Sequence, residues 1–157
     1  MPASFIRVVL DTNVLLRGLL NNRSAAGKVL EAVEVRRVLL LLSKPLMAEY
    51  RAVLSDSAVV DRFPDLTQER VEVALRRLRY FGEYLASVRT RFEFERDPRD
   101  EKLIELAIAA KATDIVSTDN DLLSLPTGHG DACRRFRQRL PNLRVLQPGE
   151  FLSLHST

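Results

Sequence analysis

Phe5-Ile6-Arg7-Val8-Val9-Leu10-Asp11-Thr12-Asn13 is the stretch on which the fold turns. A run of β-branched and aliphatic residues ends abruptly in an acid, and Val14, Leu15 and Leu16 then restart an apolar pattern. The spacing predicts a buried strand that carries Asp11 to its carboxyl end, just where the chain turns into a helix. In open α/β sheets the crevice beyond the strand ends is where ligands and catalytic groups collect. Asp11 therefore stands where chemistry would be placed.

Outward from this strand, helices and short apolar runs alternate. Val14 to Leu20 predicts the first helical turns, and Ser24 caps a second helix bearing Val29, Leu30 and Val33. Val38 to Leu42 is a continuous apolar run of strand length. Ser43-Lys44-Pro45 opens the next helix, with Leu46, Met47, Tyr50, Val53 and Leu54 as its stripe and Glu49 on the same helix. Asp61 to Asp65 is expected to be a loop, and Thr67 to open a helix whose apolar face is Val71, Ala74, Leu75, Leu78 and Leu85. Val88 to Phe94 alternates apolar and charged residues and suggests a short strand. Asp97-Pro98-Arg99-Asp100-Glu101 combines a cap, a first-position proline and first-turn acids, starting a helix that runs to about Ala112. Thr113 to Ser117 and Leu143 to Leu146 are further strands. Such alternation implies an α/β fold: one domain over residues 1–157, with a mostly parallel central sheet and helices on both faces.

Composition narrows the classes. At 157 residues, 46% hydrophobic and 29% charged, the chain suits one globular domain. Cys133 is the lone cysteine, which excludes a disulfide framework and a cysteine-rich zinc site and fits a reducing, cytoplasmic setting. Neither a secretory leader nor a membrane segment is expected, because Arg7 interrupts the first apolar stretch and Val38 to Leu42 is far too short to span a bilayer. Twenty of the 24 cations are arginine, a residue that pairs bidentately with phosphate and so permits a nucleic-acid partner.

Several elements carry carboxylates towards the sheet: Asp11 after the first strand, Asp119 and Asp121 after a later one, and Asp97 with Asp100 at a helix start. Each has a plain structural reading as a helix cap or first-turn acid, and Glu49 as an ordinary helix-surface residue. Topology leaves Asp100 and Glu49 in question, because the Asp100 helix is expected to have to tilt or cross the sheet edge to join Asp11. Taken together, acids facing one crevice repel one another unless cations neutralise them. With only His129 and His155 as imidazoles, an all-oxygen donor set points to Mg²⁺ or Mn²⁺. Paired ions of that kind serve phosphoryl chemistry.

Val8-Val9-Leu10-Asp11-Thr12-Asn13-Val14-Leu15, Leu46-Met47-Ala48-Glu49-Tyr50, Asp97-Pro98-Arg99-Asp100-Glu101-Lys102-Leu103 and Ser117-Thr118-Asp119-Asn120-Asp121-Leu122-Leu123 resemble the successive motifs of a PIN domain. The closing Val145-Leu146-Gln147-Pro148-Gly149-Glu150-Phe151-Leu152 is similar to the end of PIN proteins that act as toxin components of bacterial toxin–antitoxin pairs. The resemblance implies that Asp11, Glu49, Asp100 and Asp119 hold the metal, that Asp121 supports them, and that Asn13 and Ser117 orient carboxylates or water. It also implies Mg²⁺- or Mn²⁺-dependent two-metal hydrolysis of single-stranded RNA, a cognate antitoxin and a homodimer.

Between the short helix after Asp121 and the last strand, Arg134, Arg135, Arg137 and Arg139 concentrate positive charge. They are candidates for RNA phosphates, set against a solvated helix with Phe136 and Leu140 tucked inward. Two other functions compete. An acid at the end of a first strand also suits an aspartyl-phosphate phosphotransferase with Asp11 as nucleophile, although Asn13 cannot serve there as a general acid. A non-catalytic RNA- or protein-binding domain would keep the acids only as caps, and has little reason to gather negative charge in its groove.

Overall fold

The computed structural model describes residues 6–156. Five strands are found among them, β1 (Ile6–Leu10), β2 (Val38–Ser43), β3 (Glu83–Leu85), β4 (Asp114–Val116) and β5 (Arg144–Leu146). They form one sheet of order β3-β2-β1-β4-β5, and every neighbouring pair is parallel. The chain reaches β2 and β3 on one side of β1 and then returns to place β4 and β5 on the other. The order therefore reverses between β1 and β4. Successive side chains of a strand face opposite ways, yet Val8, Val9 and Leu10 are all essentially fully buried. Both faces of the central strand are thus covered. The expected start of β1 at Phe5 lies outside the described residues.

The helices are α1 (Thr12–Leu20), α2 (Ala25–Glu34), α3 (Lys44–Leu54), α4 (Ser57–Arg62), α5 (Gln68–Phe81), α6 (Glu101–Ala109), α7 (Asn120–Leu123), α8 (Asp131–Arg139) and α9 (Pro148–His155). Their starts follow side-chain chemistry: Ser24, Ser43 and Thr67 accept hydrogen bonds from first-turn amides of α2, α3 and α5. Their ends are less obvious. Arg36 and Lys111 close α2 and α6 with φ of 61° and 56°. The next residue folds back in each case, Arg37 N donating to Ala32 O and Ala112 N to Ala107 O, both at 2.9 Å.

Three expectations need correction. Leu85 is not on α5, which ends at Phe81 before Gly82; it belongs to β3, paired with Ser43 of β2. Val88 to Phe94 keeps the alternating burial of a strand but joins no sheet. Side chains replace the ladder there: Phe92 N donates to Glu105 at 3.0 Å and Phe94 N to Glu101 at 2.8 Å. Asp61, expected in a loop, lies within α4. The topological doubt about Asp100 also dissolves, because a helix connecting parallel strands runs antiparallel to them and so begins at their carboxyl edge. The start of α6 needs no tilt to reach Asp11.

Candidate metal centre

The crevice at the β1/β4 reversal is where ligands bind in doubly wound sheets. Asp11 follows β1 directly and is buried, with its backbone N–H on Val116 O of β4 at 2.9 Å. Its carboxylate is held at both oxygens, Oδ1 accepting from Thr12 N at 2.7 Å and Oδ2 from the Ser117 hydroxyl at 2.7 Å. Ser117 Oγ in turn accepts from Asp119 N at 2.9 Å, which positions the acid after β4. Burial raises the Asp11 carboxyl above its ordinary range and the charges of Glu49 and Asp119 add to the rise, against the lowering effect of the Ser117 and Thr12 hydrogen bonds.

Glu49 sits on the second turn of α3, where Thr12 donates its hydroxyl to one carboxylate oxygen and Lys102 pairs with the other at 2.7 Å. Tyr50 beside it donates its hydroxyl to Leu10 O at 2.5 Å, tying α3 to the end of β1. Burial first, then the charges of Asp11 and Glu49, raises the Tyr50 hydroxyl well above its usual range, so it stays a donor.

Asp97 and Asp100 flank a 3-10 turn at Pro98–Asp100 that leads into α6. Asp97, Asp100 and Asp119 each offer a carboxylate oxygen, all within 4.8 Å of one another. Asp100 is 8% exposed, and its Oδ2 has no hydrogen-bond partner. Its carboxyl is pushed up to about 8, first by burial, then by the charge of Asp11 and Asp97 and by Asp119. A buried, unpaired carboxylate oxygen among other carboxylates is the environment a hard divalent cation relieves, and oxygen-only donors suit Mg²⁺ or Mn²⁺. The residues fit such an ion.

Asp11, Glu49, Asp100 and Asp119 thus meet in one crevice. Asp121 donates its backbone N–H to Asp119 Oδ1 at 2.9 Å, while its own carboxylate lies 3.3 Å from Arg96. Asn13 is exposed, and the α1 residue that bonds an acid is its neighbour Thr12. Sequence reasoning missed two contributors, Thr12 and Lys102, and named Asp97 among the gathered acids without giving it a metal role. The three-residue spacing of Asp97 and Asp100 was the available signal for that role. Two hollows, about 730 Å³ between α2 and α5 and about 970 Å³ between α2 and α9, are lined by none of these acids.

A parallel sheet with a carboxylate cluster at its reversal point defines a class: α/β proteins whose strand ends gather acids that could hold a cation. The chain belongs to the PIN domain family, whose sequence model matches residues 7–121. PIN domains are typically metal-dependent nucleases. The matched span ends at Asp121, so α8, β5 and α9 lie beyond it. No curated protein and no solved structure matches the chain.

Proposed function

We propose that the protein is a Mg²⁺- or Mn²⁺-dependent endoribonuclease that hydrolyses single-stranded RNA, with Asp11, Glu49, Asp97, Asp100 and Asp119 as its cation-holding acids and Asp121 in support. The observation that carries this reading is the buried, unpartnered Asp100 Oδ2 within a tight group of carboxylates. When bound, a divalent cation there supplies Lewis-acid polarisation of phosphodiester oxygens and lowers the pKa of water. The chain supplies the rest. Ser117 and the Thr12 amide fix the Asp11 carboxylate in one orientation, while Thr12 and Lys102 fix Glu49, so the donors are set before substrate arrives. Lys102 also offsets part of the negative charge that would repel a phosphate.

An aspartyl-phosphate mechanism is not favoured, because Asn13, two residues beyond Asp11, cannot serve as the general acid such a phosphotransferase needs. A domain that merely binds RNA has no use for the unpaired Asp100 oxygen. We also propose a toxin–antitoxin role, with a cognate antitoxin and a homodimer, on the sequence resemblance of residues 145–152 alone.

The test is cleavage of single-stranded RNA by purified wild type, Asp11→Asn and Asp100→Asn, each with Mn²⁺ and with chelator. Losing one ligand charge is expected to slow cleavage by about a hundredfold or more. Equal cleavage by all three proteins, with and without chelator, would mean a contaminating nuclease and would sink the assignment.

A further inference from the structure

The arginines beyond the acid cluster are not evenly spread. Residues 88–99 and 131–139 together hold eight arginines against four carboxylates, so they carry +4 where the whole chain carries +3 and everything else sums to −1. These two stretches lie side by side. Arg135 donates to Glu93 O at 2.9 Å and Arg139 to Arg91 O at 3.0 Å, and Phe92 meets Phe136 edge to face with ring centroids 6.4 Å apart. The α8 helix therefore runs antiparallel to the 91–93 segment, and its start lies towards Arg96, which pairs with Asp121. The cations fall into an order: Arg91 with Arg139, then Arg135, then Arg96, and then the acids at Asp97.

The four arginines of α8 are not alike. Arg137 is half-buried and donates to Pro126 O and Gly128 O, and Arg134 donates to His129 O and faces Asp131, so both serve the preceding loop. Arg135 and Arg139 are exposed and spend one hydrogen bond each, leaving most of their five N–H donors free. The Arg91 and Arg96 side chains are 77% and 71% exposed. A cleft of about 450 Å³, bounded by Phe94, Arg96, Asp121, His129 and Arg135, opens beside this ridge.

We propose that Arg91, Arg139, Arg135 and Arg96 form a track that holds successive phosphates of a single-stranded RNA and leads the strand past the cleft to the carboxylate crevice. Arg91 and Asp97 are six positions apart, which spans at most about 20 Å of chain and suits a few nucleotides on one side of the cut. The track deepens the ribonuclease reading and rests on it for the position of the cut, but its binding can be measured without cleavage.

The experiment is fluorescence anisotropy of a labelled oligouridylate with the intact protein in chelator, over a range of salt. Wild type is expected to bind with a steep salt dependence. Arg91→Ala combined with Arg96→Ala, both exposed and therefore harmless to the core, should weaken binding several-fold and flatten the log–log salt slope by about 1.4, at about 0.7 per lost contact. The corresponding lysine pair should recover most of the slope, and Arg23→Ala, away from the ridge, should leave it unchanged. The track is overturned by an unchanged slope in the alanine pair, by an equal loss in Arg23→Ala, or by ridge-dependent binding of oligoglutamate but not RNA, which would make the surface a protein-docking face. Ridge-dependent binding without metal-dependent cleavage would keep the track and remove the nuclease. Normal cleavage with ridge-independent binding would do the reverse.

Discussion

Asp100 couples the site to pH. Its carboxyl is pushed from an ordinary 3.8 to about 8, chiefly by burial, so the native state keeps a proton that the unfolded chain gives up. The stability linked to that proton is fully present below about pH 4 and is lost as pH rises through about 8. Without metal, the melting temperature should therefore fall between pH 5 and pH 8, whereas Asp100→Asn should show a flatter profile and melt above wild type at pH 8. Superimposable profiles would mean that the carboxyl is solvated. Metal binding at pH 7 should release a proton, measurable as a buffer-dependent heat. The sequence made Asp11, Glu49, Asp100 and Asp119 visible because acids at strand and helix ends are conspicuous. Asp97 was given no metal role because an acid before Pro98 is already fully explained as a cap, and Lys102 was not visible because its partner Glu49 is 53 residues away.

At the scale of elements, helix starts were legible, and so were the ends of α1 at Leu20 and α3 at Leu54, but the ends of α2, α5 and α6 were not. Caps announce themselves by residue type, whereas α2 and α6 end in left-handed Arg36 and Lys111, where glycine is the usual signal. Lys111 is exposed, so Lys111→Gly should relieve backbone strain and stabilise the fold by about 0.5–1 kcal/mol after glycine's entropy is counted. Gly27 should behave oppositely. A Cβ there would meet Asn21 O and Asn22 Cα at 2.6 Å, both backbone, in the tight turn between α1 and α2. Gly27→Ala is expected to cost about 1–3 kcal/mol in urea unfolding, and to lower metal affinity because α1 carries Thr12. A neutral result would mean that the turn yields freely. The 88–94 segment was misread for a comparable reason: its alternation is genuine, but Glu101 and Glu105 supply the hydrogen bonds that a neighbouring strand would otherwise make.

For the molecule as a whole, the alternation of apolar runs and helices was enough to specify a parallel α/β sheet, while strand order depended on contacts that no local pattern encodes. The acids arrive from the ends of β1 and β4, from α3 and from the start of α6, and a cation held among Asp97, Asp100 and Asp119 would bridge the start of α6 and the end of β4. Mg²⁺ or Mn²⁺ should accordingly raise the melting temperature, by the equivalent of about 2.7 kcal/mol at a hundred times its dissociation constant. A melting temperature that does not move across the titration would argue against a native metal site. Among the described residues no helix is long and apolar enough to cross a membrane.

The central place of β1 has a consequence during synthesis. Val8 pairs with Leu40 early in the chain, but its other neighbour, Asp114, is made 106 residues later. At roughly 5–20 residues per second, Asp11 leaves the ribosome about 5–20 s before Asp119 exists. Through that interval the nascent chain has half a sheet and no complete carboxylate crevice, and parallel pairing over such a separation is slow to form. A site wound in this order stays incomplete beside the message that encodes it, and its acids can gather only after Asp119 has been made.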